Sequence, residues 1–240
     1  MTERTTIWRE IERALRIEIE QGRYRPGEKL PTEAALAKRF SVNRHTVRRA
    51  LAALQTDGLT YARRGAGVFV AAKPTTYPIG ARVRFHQNLI AAGQTPMKEI
   101  LRLETVAAAP REAEALRIAP GAPVHVWEGV AYADGAPVSL FHSWFPAERL
   151  PDLKQGLAET KSVTAALKRE GVADYTRAST RLNAEAAGPM HALRLRLSHA
   201  APLLRAVSVN IDAEGRPVEY GRTWFAGERV TLTIGDEPPP

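Results

Sequence analysis

The sequence predicts an α+β protein in which a small, mostly helical N-terminal domain precedes a larger domain built on an antiparallel sheet. Three observations support this fold class. Apolar residues recur at helical spacing near the start of the chain, alternating strand-like runs dominate its second part, and the two prolines of KPTTYP separate the two patterns. The predicted boundaries are a first domain at 1–73, a linker at 74–79, a second domain at 80–236 and a tail at 237–240.

Composition restricts the classes of function. Of 240 residues, 44% are hydrophobic and 25% are charged, an ordinary globular balance, and no apolar stretch is long enough to span a membrane. The chain has no cysteine, which excludes disulfides, thiolate zinc sites, iron–sulfur clusters and a cysteine nucleophile. The polar first residues lack the apolar segment of a secretory signal, so we expect a cytoplasmic protein.

Nearly all of the net charge of +8 lies in the first domain. Residues 1–73 carry 15 Lys and Arg against 8 Asp and Glu, whereas the rest of the chain carries 19 against 18. Lys and Arg gain affinity for a polyanion by releasing counterions condensed on its phosphates. The asymmetry therefore favours a nucleic-acid-binding first domain, with a solvated basic face as the alternative on charge alone.

Three helices are predicted in the first domain. Ile and Leu at helical spacing predict the first helix over 7–20. Thr32 followed by Glu33 is typical of a helix start, and this second helix should run to about Phe40. Asn43 can cap a third helix, RHTVRRALAALQT. The predicted buried stripe of the third helix consists of Val47, Ala50, Leu51 and Leu54.

A β-hairpin is predicted after the third helix. The runs LTYAR and VFVAA are β-prone, and the glycines between them permit the positive φ angles of a tight turn. A short turn between two helices, an Arg-rich outward face on the later helix and a basic hairpin are the successive parts of a winged helix-turn-helix. An Arg-rich helix alone is more often a solvated face, so the order of the elements carries this prediction.

The run LPTEAALAKRFSVNRHTVRRALAALQTDGLTYARRGAGVFV closely resembles the winged helix-turn-helix of the GntR superfamily of bacterial regulators. The resemblance implies a homodimer on a palindromic double-stranded operator. Side-chain chemistry makes Arg44 and Arg48 readers of bases or phosphates, and Arg63 and Arg64 candidates for the minor groove. The residues predicted to lie at the DNA are Thr32, Glu33, Asn43, Arg44, His45, Thr46, Arg48, Arg49, Arg63, Arg64, Gly65 and Gly67.

The second domain alternates between strands and helices. Asp134-Gly135 and Glu214-Gly215 are expected to turn hairpins between strand-like runs. This pattern predicts an antiparallel α+β domain. The strand-like runs are VHVWEGVAYA, APVSLFHSWF, PLLRAVSVNIDA and PVEYGRTWFA, and helical stretches are predicted near 84–92, 111–118, 162–170 and 185–195.

Three segments of this domain, RFHQNLIAAGQTP, LRIAPGAPVHVWEGVAYADGAPVSLFHSWFP and GRPVEYGRTWFAGERV, resemble the effector-binding UTRA domain of the HutC subfamily, whose fold is similar to that of chorismate lyase. SVNRHTVRRA, RFHQNLIAAG and TRASTRLNA resemble the phosphonate-utilisation branch called PhnF. The resemblance implies a repressor whose operator affinity is controlled by a small-molecule effector. A phosphonate or phosphate-containing metabolite is expected, with a sugar phosphate or an amino-acid catabolite as the alternative.

Arginine with hydroxyls and backbone amides holds small anions best, which suggests where the effector would bind. The candidates on this ground are Arg84, His86, Gln87, Asn88, Thr180, Arg181, Tyr220 and Arg222. A surface ion pair is the alternative role for Arg181 and Arg222. Glu128 and His142 depart from the UTRA pattern, and they either contact a cationic or hydroxyl group of the effector or form a structural cross-strand pair.

Two other functions are weighed against the regulator. A lyase-like enzyme is suggested by the similarity of the UTRA fold to chorismate lyase and by His86 and His142. The sequence, however, has no phosphate-binding loop, no H-E-x-x-H and no G-x-S-x-G. A purely architectural DNA-binding protein would leave the charge-balanced second domain without a task. We therefore expect a DNA-binding regulator that is not an enzyme and needs no cofactor or metal.

Overall fold

The computed structural model describes residues 7–63, 65–71, 74–80, 85–91 and 93–234. It divides the chain into two compact units, Met1–Lys73 and Pro74–Pro240. Among the described residues, no helix combines the length and the apolar character that crossing a membrane requires.

The N-terminal unit is a winged helix-turn-helix, and its three predicted helices and its hairpin are confirmed. Its elements are α1 (Ile7–Glu20), α2 (Glu33–Phe40), α3 (Arg44–Thr56), β1 (Thr60–Arg63) and β2 (Gly67–Val70), and the two strands pair antiparallel. Both predicted N-caps form, because the Thr32 hydroxyl accepts from the Ala35 amide and the Asn43 side chain accepts from the Thr46 amide.

Side chains from all three helices meet in one small core in this unit. Leu15 of α1, Leu36 of α2 and Val47 of α3 are completely buried, and β2 adds Val70. Each such side chain stabilises the unit by about 1.5–3 kcal/mol through burial. The predicted stripe of α3 is confirmed, since Val47, Ala50, Leu51 and Leu54 are all buried. The opposite side of α3 is thereby left to the solvent.

The C-terminal unit is built on one six-stranded sheet whose strands pair antiparallel, so the predicted antiparallel α+β domain is confirmed. The strand order is β4-β5-β6-β9-β8-β7, so β9 lies between two strands that precede it in the chain. The elements are β3 (Thr75–Pro78), α4 (Phe85–Ala91), β4 (Pro96–Ala107), α5 (Pro110–Leu116), β5 (Pro123–Ala133), β6 (Ala136–Pro146), α6 (Leu153–Thr160), α7 (Val163–Arg169), β7 (Thr176–Ala186), α8 (Pro189–Leu195), β8 (Pro202–Ile211), β9 (Pro217–Ala226) and β10 (Val230–Thr233).

Several sequence predictions for this unit need correction. The segment 74–79 is not a free linker, because Thr75–Pro78 forms β3 and pairs in parallel with β10. The helix predicted near 185–195 begins only at Pro189, since β7 continues to Ala186. The long strand β4 and helix α6 were not predicted. Both hairpin turns are confirmed, with positive φ at Asp134, Gly135 and Gly215.

Helices cover both faces of the sheet. On the first face, Leu153 and Leu157 of α6 and Leu167 of α7 pack into the cluster around Trp127 and Phe145. The other face is covered by α5 and α8, whose Leu116 and Leu195 belong to separate clusters. We call these the α6/α7 face and the α5/α8 face. Because successive strand residues point to opposite faces, each strand contributes alternate side chains to each face.

Candidate functional site

The outward side of α3 carries a row of basic side chains. Arg44, His45, Arg48 and Arg49 are exposed between the buried positions of the helix. Arg44 and His45 form no hydrogen bond or ion pair among the described residues. Their side chains follow directly after the Asn43 cap, at the end of a helix that reaches base edges when such a helix enters a major groove.

Arg48 is held by a carboxylate of the preceding helix. Its Nε donates to Glu33 Oε1 at 2.9 Å, and its Nη2 donates to Glu33 Oε2 at 2.8 Å. This two-point hydrogen bond keeps the pKa of Glu33 below its ordinary value. The pair connects α2 to α3 and positions the Arg48 guanidinium on the exposed side of the unit. The sequence placed both residues at the DNA but did not predict that they bind each other.

Other basic side chains of this unit are engaged within it. The guanidinium of Arg49 lies 4.6 Å from the centre of the Trp8 ring. Arg39 binds Glu18, and Arg16 pairs with Glu12. These contacts stabilise α1 and its neighbours, so the N-terminal surplus of positive charge is partly a structural feature. Arg44 and His45 at the start of α3, which form no such contacts among the described residues, are then the stronger candidates for phosphate or base contacts.

The turn of the hairpin depends on glycine. Gly67 has a φ of +115°, and a Cβ atom there would lie 2.7 Å from Cε of Lys29. Lys29 therefore packs against Gly67 at the turn end of the hairpin, and it is a basic residue that the sequence analysis did not single out. Gly65 also has a positive φ. Arg64 lies outside the described residues, and Arg63 is described only as the last residue of β1.

The second candidate site is a cavity of about 370 Å³ on the α6/α7 face of the sheet. This volume suits a small metabolite rather than a macromolecular ligand. Small side chains at Ala131, Ser139 and Ala206 leave the space open between larger aromatic walls. The other residues that line the cavity are Tyr77, Ile79, Lys98, Trp127, Phe141, Ser143, Ser162, Val163, Thr164, Ala165, Lys168, Tyr175, Arg177, Thr180, Asn210, Glu219, Thr223 and Phe225.

One charged group of the cavity is a carboxylate fixed by the sheet. Glu219 Oε1 accepts from the Ser143 hydroxyl at 2.7 Å, and Glu219 Oε2 accepts from Asn210 Nδ2 at 2.6 Å. Ser143 and Asn210 are themselves buried. Each carboxylate oxygen keeps a further lone pair, so Glu219 can accept hydrogen bonds from a ligand hydroxyl or amine.

The cavity also holds a half-buried amine. Lys98 Nζ lies 4.5 Å from the Trp127 ring centre and 5.4 Å from the Phe141 ring centre. Burial lowers the pKa of Lys98 to about 8, although the negative charge of Glu219 acts in the opposite direction. At neutral pH this amine remains largely protonated, and it provides a cation beside the aromatic wall.

The structure separates the predicted effector-binding residues onto two faces. Thr180 lines the cavity, but Arg181 next to it is exposed on the α5/α8 face. Tyr220 and Arg222 also lie on the α5/α8 face, where Arg222 Nη2 binds Glu112 at 2.7 Å and stacks on Trp144. Arg222 therefore forms an ion pair, which is the alternative role that the sequence analysis gave it.

Glu128 and His142 also lie away from the cavity. They are directly opposite each other on β5 and β6, with His142 Nδ1 3.8 Å from Glu128 Oε1, and Arg102 Nη1 lies 3.2 Å from the same oxygen. Burial lowers the pKa of His142. This geometry matches the second of the two roles predicted for Glu128 and His142, a structural cross-strand pair. The remaining candidates are Arg84, His86, Gln87 and Asn88. Arg84 lies outside the described residues. His86 and Gln87 are described only by their backbone in α4, and Asn88 of that helix is half-buried.

Among the polar cavity residues that the sequence analysis missed are Lys98, Arg177, Asn210 and Glu219. They come from four strands that are distant in the chain, and a local pattern does not show which face each strand residue takes. The alternation within PVEYGRTWFA could have indicated Glu219, since it shares a face with Gly221 and Thr223.

A winged helix-turn-helix joined to a sheet domain with a metabolite-sized cavity defines a transcription regulator that binds DNA and a small ligand. The chain belongs to the gntR family of bacterial regulatory proteins, whose model matches residues 8–70, and it carries a UTRA domain, matched over residues 91–231. Both family resemblances inferred from sequence segments are confirmed.

Relatives agree with this assignment over nearly the full chain. An uncharacterized HTH-type transcriptional regulator of Rhizobium meliloti (strain 1021) is 42% identical, covering 95% of this chain and 94% of the relative. The probable transcriptional regulator PhnF of Escherichia coli (strain K12) is 33% identical, covering 95% of both chains. The crystal structure of PhnF from Mycobacterium smegmatis is 26% identical, with a TM-score of 0.67 over 98% of this chain and all of that one. The chain is thus a PhnF-like regulator.

Proposed function

We propose that the chain acts in the cytoplasm as a homodimeric repressor and not as an enzyme. Two winged helix-turn-helix units bind the halves of a palindromic operator, and a small effector in the cavity of the α6/α7 face changes operator affinity. The observation that carries the proposal is the position of β3. This strand follows directly after the N-terminal unit in the chain, and its Tyr77 lines the cavity.

Contact with the operator is assigned to the start of α3 and to the hairpin. Arg44 and His45 are exposed and unpaired among the described residues, so they can bind phosphates or base edges without breaking an existing bond. Arg48 is presented by Glu33, which leaves other guanidinium donors for DNA. Arg63, Arg64 and Gly65 stay predictions for the tip of the wing, and Thr32, Asn43 and Thr46 for the helix starts.

The strand β3 gives the effector a route to the DNA-binding unit. The Thr75 amide donates to the Arg229 carbonyl at 2.7 Å, and the Ile79 amide donates to the Thr233 carbonyl at 2.7 Å. A ligand that packs against Tyr77 stabilises this paired strand, and the strand leads into the DNA-binding unit two residues earlier in the chain. Linkage then requires the operator to change effector affinity by the same factor as the effector changes operator affinity.

The proposal is tested first on DNA. The full chain is used to select duplexes from a random pool, and affinity for the selected sequence is measured by fluorescence anisotropy over a range of salt. We expect a two-fold symmetric sequence, and we expect Arg44→Ala to weaken its binding about tenfold or more. Arg111→Ala removes an exposed cation from the C-terminal unit and serves as the control. If the selection enriches no sequence, the proposal that the chain is a sequence-specific DNA-binding regulator is wrong.

The effector step is tested on the same complex. Compounds that raise the melting temperature of the full chain are added to the operator complex, because a ligand of the folded state must stabilise it. Release or tightening of the DNA supports control by the cavity. A compound that stabilises the protein and leaves operator affinity unchanged would contradict it.

A further inference from the structure

We infer that Lys98 is a nucleophilic amine that forms a reversible imine with small apolar aldehydes entering the cavity of the α6/α7 face. The bond that forms joins Nζ of Lys98 to the carbonyl carbon, and the carbonyl oxygen leaves as water. No oxidant or reductant takes part, and hydrolysis reverses the reaction. This reactivity goes beyond the proposed regulator and does not depend on it, since it needs neither a dimer nor DNA.

Lys98 is held in the cavity wall by aromatic rings. Its Nζ lies 4.5 Å from the ring centre of Trp127 and 5.4 Å from that of Phe141. Both rings are buried and belong to the core of the C-terminal unit. The side chain of Lys98 is half-buried and lines the cavity. The amine is therefore presented at one place to a small molecule that enters.

The surroundings of Lys98 differ from those of the other lysines that the structure describes. All of these are exposed: Lys29, Lys38, Lys154, Lys161 and Lys168. Burial lowers the pKa of Lys98 to about 8, so roughly a tenth of its amine is neutral at pH 7. For an exposed lysine the neutral fraction is less than about a thousandth. Only the neutral amine has the lone pair that attacks a carbonyl, which makes Lys98 the most reactive lysine described.

A fixed carboxylate in the same cavity can transfer the protons of the reaction. The two oxygens of Glu219 are oriented by Ser143 and Asn210, and its negative charge acts on Lys98. As Nζ adds to the carbonyl carbon, one N–H proton must leave the nitrogen, and a proton must reach the oxygen before it departs as water. Glu219 accepts the first proton and returns it to the departing hydroxyl group.

The cavity wall also suits the intermediate and the product. A protonated imine keeps a positive charge on the same nitrogen, so the rings that face Lys98 attract it as they attract the ammonium group. Nε1 of Trp127 is buried and has no hydrogen-bond partner among the described residues. Buried donors are normally paired, and this one can donate to the oxygen of the aldehyde before that oxygen leaves.

The size and the chemistry of the cavity define the class of aldehyde. The volume is about 370 Å³, and Tyr77, Trp127, Phe141 and Phe225 provide large apolar surfaces. Such a lining favours a short aliphatic chain or a single ring over a polar substituent. The carbonyl carbon must approach Nζ beside two aromatic rings, so we expect an aldehyde to react faster than the more crowded ketone of equal size.

The experiment traps the imine on the full chain. Butanal and sodium cyanoborohydride are added at pH 7, the reductant converts each imine to a stable secondary amine, and peptide mass spectrometry measures the labelling rate of each lysine. We expect Lys98 to react roughly tenfold or more faster than the exposed Lys154. 2-Butanone, the matched ketone, should label Lys98 more slowly than butanal does.

The pH profile of labelling identifies the nucleophile. The rate at Lys98 should level off above about pH 8, whereas the rate at Lys154 should continue to rise toward pH 10. Glu219→Gln removes a negative charge, so it should lower the midpoint for Lys98, and it should also lower the plateau because proton transfer is lost. A lower midpoint with an unchanged plateau would contradict proton transfer by Glu219. The other titratable groups that line the cavity are Tyr77, Lys168, Tyr175 and Arg177.

Variants assign the fast adduct. Lys98→Met should abolish it and leave labelling of the exposed lysines unchanged. Lys98→Arg retains a positive charge that is not lost at these pH values, and it tests the same loss if the methionine variant does not fold. Lys154→Met is the matched control and should retain the fast adduct.

Either of two results would overturn this inference: labelling of Lys98 no faster than that of the exposed lysines, or a rate at Lys98 that rises to pH 10 as it does at Lys154. The regulator is tested separately on DNA. Failure of the trapping experiment would leave operator binding untouched, and failure of operator selection would leave the imine chemistry in place.

Discussion

Replacing Lys98 with Met should stabilise the protein at neutral pH. The amine is half-buried against the rings of Trp127 and Phe141, and burial lowers its pKa from 10.5 to about 8. Each pH unit between these values corresponds to about 1.4 kcal/mol, so the penalty for keeping the charge in the folded state is at most about 3 kcal/mol. Solvent reaches part of the side chain, which reduces the expected gain to about 1–2 kcal/mol. Methionine preserves most of the packing volume.

The pH dependence of this gain follows from the direction of the shift. Below pH 8 the folded and unfolded chains both hold the proton, and the wild-type protein bears the full penalty. Between pH 8 and 10.5 the folded chain releases its proton first, so wild-type stability rises relative to the variant. Above 10.5 the two proteins should differ little in this respect.

Urea unfolding of the ligand-free chain, followed by tryptophan fluorescence at pH 7, 8, 9 and 10, measures the difference in free energy of unfolding between Lys98→Met and the wild type. Lys168→Met is the matched control, because Lys168 also lines the cavity but is exposed. A destabilised Lys98→Met protein at pH 7, or a difference that stays constant from pH 7 to 10, would refute the argument that burial of the charge is costly.

Three further substitutions test other parts of the structure. Gly129→Ala would place a Cβ atom on the carbonyl oxygen of Glu99, so we expect a loss of about 3 kcal/mol or more in thermal unfolding. Burial opposes ionisation of Asp212, but hydrogen bonds lower its pKa from 3.8 to about 2. Asp212→Asn should therefore cost about 2 kcal/mol above pH 4, and the difference should disappear as the pH falls through about 2. Glu33→Gln removes a negative charge beside Arg48, so non-specific DNA affinity in anisotropy titrations should rise while discrimination of the selected operator falls.

The N-terminal unit could be predicted nearly residue by residue because its signals are local. Thr32 and Asn43 cap helices through bonds to residues three positions ahead, and the stripe of α3 repeats within one helix. Such patterns need no knowledge of the rest of the fold. What the local pattern did not show is the bonding between helices, such as that from Arg48 to Glu33 and from Arg39 to Glu18.

The cavity was much less predictable, because the face of a strand residue depends on register. Thr180 and Arg181 were both candidates for the effector, yet they point to opposite faces of β7, as neighbours in any strand do; which of the two faces the cavity is what the register decides. A single extra residue exchanges the faces for everything that follows it. The register of β7 against β8 shifts at Ala178, and this bulge has no signature in the sequence. Glu219 and Lys98 line the same cavity only because β9 lies inside the sheet between β6 and β8, a non-local arrangement.

The change of segment 74–79 from a predicted linker to a strand also changes how a signal can pass along the chain. The carbonyl of Arg229 accepts from the Thr75 amide, and the buried Arg229 side chain donates to the carbonyls of Pro137, Leu195 and Arg196. The start of β3 is thus attached to the core of the C-terminal unit, not suspended beside it. An effector acts on operator affinity only through a difference in its affinity for two states of the chain. In the proposed function the effector contacts Tyr77, which lies within β3 and lines the cavity. An effector bound there would change the stability of the pairing between β3 and β10, and regulation would then need no rearrangement of the six-stranded sheet.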